Sequence, residues 1–201
     1  RSSDLEHPKA LAIAVFGSEE MRKQSAKDAF YVAGVNAAEL PERKGKESQK
    51  EPKSPVLDVV EIYGWQEADG FANIQALVAG NVLTRNFTMM PPNELNPTQY
   101  RAKIAKIAKS NGWQHQELDM QKLTKMGAGA FVAVGQGSDP QDAAIVHLTY
   151  APKDAKKFIA LVGKGICFDT GGHNLKPAKY MSGMHEDMNG SAVALGVLLA
   201  A

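Results

Sequence analysis

Lys164, Asp169, Lys176 and Asp187 stand among glycines in the last third of a 201-residue chain. The stretch reads Leu161-Val-Gly-Lys-Gly-Ile-Cys-Phe-Asp-Thr-Gly-Gly-His-Asn-Leu-Lys176, and Asp187-Met-Asn-Gly190 follows. Charges set close behind an apolar run are costly unless they pair or bind a metal. A lysine at Lys164 could hold a phosphate, form a Schiff base, or ligate a metal after losing its proton. The phosphate loop Gly-x-x-x-x-Gly-Lys-Ser/Thr is absent, and a Schiff base leaves the carboxylates unexplained. A dication beside a half-buried lysine favours the neutral amine. Two aspartates from separate segments suit Mg²⁺, Mn²⁺ or Zn²⁺. Plainer alternatives stay open: Lys164 paired with Asp169, and Asp187 as a cap for the helix beginning after it. If charged, Lys176 could polarise a carbonyl or steady a developing oxyanion.

Other reactive side chains carry less. His173 and His185 flank the motif and Cys167 lies inside it. Neither Cys-x-x-Cys nor His-Glu-x-x-His spacing exists, so the histidines are expected to shape the pocket rather than ligate. Cys167 has no recognisable base beside it, which speaks against nucleophilic catalysis. His147 is expected as an exposed or satisfied strand residue.

Alternating strands and helices are expected to position these groups. Apolar Lys9–Gly17 predicts a strand, Glu19–Val35 a helix, and Val56–Tyr63 a second strand. Between them, 42–55 has no apolar residue at all and is expected to be an exposed, mobile loop. Phe71, Ile74, Val78 and Val82 follow helical spacing from about Asp69 to Phe87, ahead of Pro91-Pro92. Thr98 is expected to cap a further helix whose buried stripe is Tyr100, Ile104, Ile107 and Ala108. Strands are then predicted at Trp113–Leu118, Ala130–Gly135, Ala143–Tyr150 and Lys157–Val162, with a short helix at Met120–Met126. The last strand would set Lys164 at a strand end, where ligands of open α/β sheets cluster. The expected fold class is α/β, with a mixed or largely parallel sheet flanked by helices. The expected division is 1–68 and 69–201.

Hydrophobic residues at 44%, charged residues at 22% and a net charge of +1 give no electrostatic reason to expect nucleic acid or a membrane. The single cysteine excludes an internal disulfide and suits a reducing compartment. No signal-peptide pattern or apolar run of the ~20 residues a membrane span needs is visible. The expectation is a cytoplasmic protein, although Arg1 is not a methionine.

Three linked segments resemble the leucine (cytosol) aminopeptidase family. They are Val162-Gly-Lys-Gly-Ile-Cys-Phe-Asp-Thr-Gly-Gly172 with Leu175-Lys176 and Asp187-Met-Asn-Gly-Ser-Ala192; Met90-Pro-Pro-Asn-Glu-Leu-Asn-Pro97; and Gly127-Ala-Gly-Ala-Phe-Val-Ala-Val-Gly-Gln-Gly-Ser138. The resemblance covers roughly 70 to 201 and implies a two-metal exopeptidase that removes N-terminal, leucine-like residues from peptides. It implies Lys164, Asp169 and Asp187 as ligands of two Mn²⁺ or Zn²⁺ ions, and Lys176 as the catalytic lysine. The metals would bind the substrate's amine, activate a water and stabilise the tetrahedral intermediate. It further implies a homohexamer. Residues 1–68 would end the family's N-terminal α/β domain, and 69–201 would begin its catalytic domain.

Departures from the pattern are His173-Asn174, where apolar and small residues are usual, and Asn189. The family's later Asn-Thr-Asp-Ala-Glu-Gly-Arg segment, with further ligands and a catalytic arginine, is not in this sequence. The expectation is therefore a fragment, inactive in isolation and incomplete at both ends. The competing expectation is an aminopeptidase-like scaffold or binding protein that has lost catalysis.

Overall fold

The computed structural model describes residues 8–41 and 57–201; the loop expected at 42–55 lies outside them. The described chain forms two compact units, one of residues up to Met89 with Ala192–Ala201, the other of Met90–Ser191.

In the first unit, β1 (Ala10–Ala14) and β2 (Val59–Tyr63) pair in parallel, Ala10 opposite Val59 and Ala14 opposite Tyr63. Parallel neighbours need a crossover, and α1 (Glu19–Ala37) lies between them in sequence, its N-cap Ser18 accepting from Met21 N. Val15, Ala26 and Phe71 form the buried centre, with Phe30, Ile62, Trp65 and Ile74 packed on it. The Phe30 and Phe71 rings stack at 4.9 Å. Phe71 itself sits at φ +64°, just before α2 (Ala72–Thr88). A bulky residue there is strained by about 1–3 kcal/mol. Its ring stack, and the Asp69 carboxylate accepting from Phe71 N and Asn73 N, hold it in place.

The second unit begins with α3 (Pro97–Ser110). Its N-cap is Asn96, whose side chain accepts from Gln99 N, with Pro97 in the first turn. Thr98, expected in that role, instead lies inside the helix and turns its N–H and hydroxyl to Asp142 Oδ2. Proline suits the first helical position because its missing N–H would have had no partner there. Of the expected stripe, Tyr100, Ile104 and Ala108 are buried as the spacing requires, and Ile107 is half-buried.

β3 (Gln114–Asp119) and β4 (Ala144–Thr149) pair antiparallel, Gln114 opposite Thr149. Between them lie α4 (Met120–Lys125), capped by Asp119, and α5 (Gly129–Gly135). His147 is an exposed strand residue, as expected. The α/β class holds, with sheets of two strands each among the described residues.

Two strand expectations fail. Residues 130–135 lie in α5, where Val132 N bonds Ala128 O and Gln136 N bonds Val132 O. Short apolar runs do not distinguish strand from helix, and here the local i→i+4 bonds prevail. Residues 157–162 carry no regular structure, and Phe158, Ile159 and Val162 are 86%, 87% and 98% exposed. A β-strand exists only against a partner, and this run has none among the described residues.

Candidate metal centre

All four charged residues lie in the second unit, on segments without strand or long helix. Lys164 therefore does not stand at a strand end. Backbone apposition fixes it instead: Ser191 N donates to Lys164 O at 2.8 Å. Gly163 makes this approach possible, since a Cβ there would stand 2.5 Å from Gly190 O and 2.7 Å from Ser191 N. Downstream, Lys176 N donates to Thr170 O at 2.9 Å, closing a loop around Gly171 and Gly172. Gly171 has φ +91°, and a Cβ on it would collide with Asn174 O; glycine alone fits this turn. After α6 (Ala178–Met181), a 3₁₀ turn at Met184–Glu186 delivers Asp187 immediately before α7 (Asn189–Ala200).

The lysines and aspartates pair in a crossed order. Lys164 Nζ lies 2.7 Å from Asp187 Oδ1, and Lys176 Nζ lies 2.7 Å from Asp169 Oδ2. The Lys164–Asp169 pair weighed from spacing is not formed. Lys176 also donates to Asp169 O at 3.3 Å and touches Met184 Sδ at 3.2 Å. Asp169 Oδ1 accepts from Gly171 N. The Lys176 ammonium, then that amide, hold the Asp169 carboxyl below the usual range.

Asp187 is the more enclosed carboxylate, with 17% of its side chain exposed. Its Oδ2 is buried and has no hydrogen-bond partner among the described residues. A buried carboxylate oxygen without a donor is costly, and a divalent cation is one group that removes the cost. The capping role weighed for Asp187 is not formed, since Oδ1 holds Lys164 and Oδ2 accepts no backbone N–H among the described residues.

The donor set, two carboxylates and an amine, fits Mn²⁺ or Zn²⁺ in kind. No group of three or more His, Cys, Asp and Glu side chains gathers among the described residues. His173 is exposed, and His185 Nε2 reaches Glu186 Oε1 at 3.8 Å. Cys167 is buried, and that burial, with the Asp142 charge, pushes its thiol up to about 11. Such a thiol is a poor nucleophile at neutral pH. Met184, Tyr100 and Ser191 join the site in the structure without a motif that marks them in the sequence. A tyrosine on a buried helix stripe was the available signal, because a buried phenol needs a partner.

The catalytic-domain model of the cytosol aminopeptidase family matches residues 82–201. The chain belongs to the cytosol aminopeptidase family. A curated family relative, the "probable cytosol aminopeptidase" of Corynebacterium diphtheriae, is 45% identical over 127 residues, covering 63% of this chain and 25% of the relative. The chain thus spans about a quarter of that relative's length. The fold is similar to that of the apo leucyl aminopeptidase of Trypanosoma cruzi, with TM-score 0.77 and 24% identity over 98% of this chain and 37% of that one. It is also similar to the bottromycin maturation enzyme BotP, solved in complex with Mn, with TM-score 0.73 and 28% identity over 96% and 40%. No helix among the described residues is long and apolar enough to cross a membrane.

Proposed function

We propose that this chain is part of a metal-dependent aminopeptidase that releases N-terminal, leucine-like residues from peptides. The observation that carries the reading is the crossed pairing of Lys164 with Asp187 and Lys176 with Asp169, beside the unpartnered Asp187 Oδ2. Family membership and the Mn in BotP support it.

In this reading Lys164, Asp169 and Asp187 hold two divalent cations, Mn²⁺ or Zn²⁺. Bound there, the cations would supply Lewis acidity and an activated water. Asp187 offers the buried oxygen, and Lys164 offers an amine once its proton has left. Lys176 is held by Asp169, its Nζ 2.7 Å from Oδ2. Its ammonium is then a fixed hydrogen-bond donor for a carbonyl oxygen gathering negative charge. Residues 69–201 would begin the catalytic domain and 1–68 would end a smaller one. We further propose a cytoplasmic homohexamer, acting on peptides and on neither nucleic acid nor membrane.

The test is Mn²⁺-dependent hydrolysis of a leucine anilide by the full-length protein, beside its Lys176→Ala variant. Metal-dependent release that falls in the variant supports the reading. Absence of release at any Mn²⁺ concentration would favour the inactive scaffold.

A further inference from the structure

Behind the four charged residues a series of hydrogen bonds runs back into the core. Tyr100 lies on α3 and is 4% exposed, and its hydroxyl is 2.9 Å from Ser191 Oγ. Ser191 Oγ donates to Met188 O at 2.7 Å. With its single proton used there, the Tyr100 hydroxyl is the donor of the pair. The Ser191 amide in turn donates to Lys164 O at 2.8 Å. One serine therefore fastens the backbone on both sides of the candidate centre, at Lys164 and at the residue after Asp187.

We infer that Tyr100 and Ser191 are positioning residues for the ligands Lys164 and Asp187. The inference rests on the metal-site reading above. The Lys164 side chain is 59% exposed and is held at its tip by Asp187. An exposed lysine loses much rotamer freedom when immobilised. Where its amine can reach is therefore set chiefly by the backbone that carries it, and Ser191 fixes that backbone. Ser191 is fixed in its turn by the Tyr100 hydroxyl, which comes from a buried helix face rather than from another loop. A phenylalanine would fill the same space, so packing alone gives the hydroxyl no task. A rigid support behind the coordinating groups is what precise ligand placement requires.

The experiment is Mn²⁺ titration calorimetry on the full-length protein and its Tyr100→Phe, Ser191→Ala and doubly substituted variants, with the melting temperature of each metal-free form recorded alongside. Tyr100→Phe should bind Mn²⁺ roughly 3- to 10-fold more weakly, the factor one lost hydrogen bond gives, and Ser191→Ala, which also loses the bond to Met188 O, should be weakened at least as much. The double variant should be little weaker than Ser191→Ala, which already breaks the Tyr100 link. Equal Mn²⁺ affinity in the parent and Ser191→Ala would overturn the inference, even if the metal-free melting temperature fell. Ser191→Ala also serves if Tyr100→Phe fails to fold. A parent that binds no Mn²⁺ would remove the metal-site reading and this inference together, whereas a binding parent with unaltered variants removes the inference alone.

Discussion

Gly163 and Ser191 meet backbone to backbone, with no volume between them for even one methyl group. Gly163→Ala should therefore force Lys164 away from Ser191. Overpacking of this kind costs about 1–3 kcal/mol. Urea unfolding of the metal-free full-length protein should show a loss in that range. Mn²⁺ affinity should fall with it, because the displaced residue carries a proposed ligand. Unchanged stability would mean that the loop yields at no cost.

Lys176 and Asp169 share an ion pair but should separate on mutation. Lys176→Ala should lower turnover at least tenfold, a typical loss for a transition-state contact, while metal content stays nearly constant. Asp169→Ala should lose metal as well. Metal analysis of both purified variants, beside leucine anilide kinetics, distinguishes them. Full activity in Lys176→Ala would remove the role given to that lysine.

Tyr100 makes the fold sensitive to alkali. Burial pushes its phenol from 10.0 up to about 12. Because the folded value is the higher one, the neutral phenol stabilises the fold fully below pH 10. That contribution is lost as pH rises from 10 towards 12. Two units correspond to about 2–3 kcal/mol. The stability difference between the parent and Tyr100→Phe should therefore shift in favour of phenylalanine over that window, as followed by denaturation at successive pH values.

Cys167 should be a slow thiol. At pH 8 a group titrating near 11 is almost wholly protonated, so reaction with a disulfide reagent should be roughly a hundredfold slower than in urea. The rate should climb with pH towards 11. Fast labelling at pH 8 in the folded protein would show that the thiol is neither buried nor raised.

Local patterns were legible wherever they were decided locally. The stripe of Tyr100, Ile104 and Ala108 is a matter of helical spacing, and burial follows it. The short helix expected at Met120–Met126 forms at Met120–Lys125, capped by Asp119. The failures share one cause, that the answer lay in distant residues. Ala-Phe-Val-Ala-Val at 130–134 has strand-like composition, yet coils beside Met120, whose Sδ would lie 2.9 Å from a Cβ on Gly135. In the site, the residue types were readable and their partners were not. Asp169 is five positions from Lys164, but the actual partner is Asp187, twenty-three positions on. Folding chose the pair through Ser191 and Gly163, and a list of spacings holds no such information.

The bare run at 158–162 has a colloidal consequence. Phe158, Ile159, Leu161 and Val162 present side chains to solvent, and an apolar run with no strand partner among the described residues is where intermolecular sheets nucleate. Lys153, Lys156 and Lys157 precede it directly and act as gatekeepers, since like charges keep approaching copies apart. Salt shortens the range of that repulsion to roughly 8 Å near physiological strength and 3 Å at 1 M. Turbidity of a concentrated solution of this 201-residue chain should therefore rise on adding salt, and Ile159→Lys should suppress it.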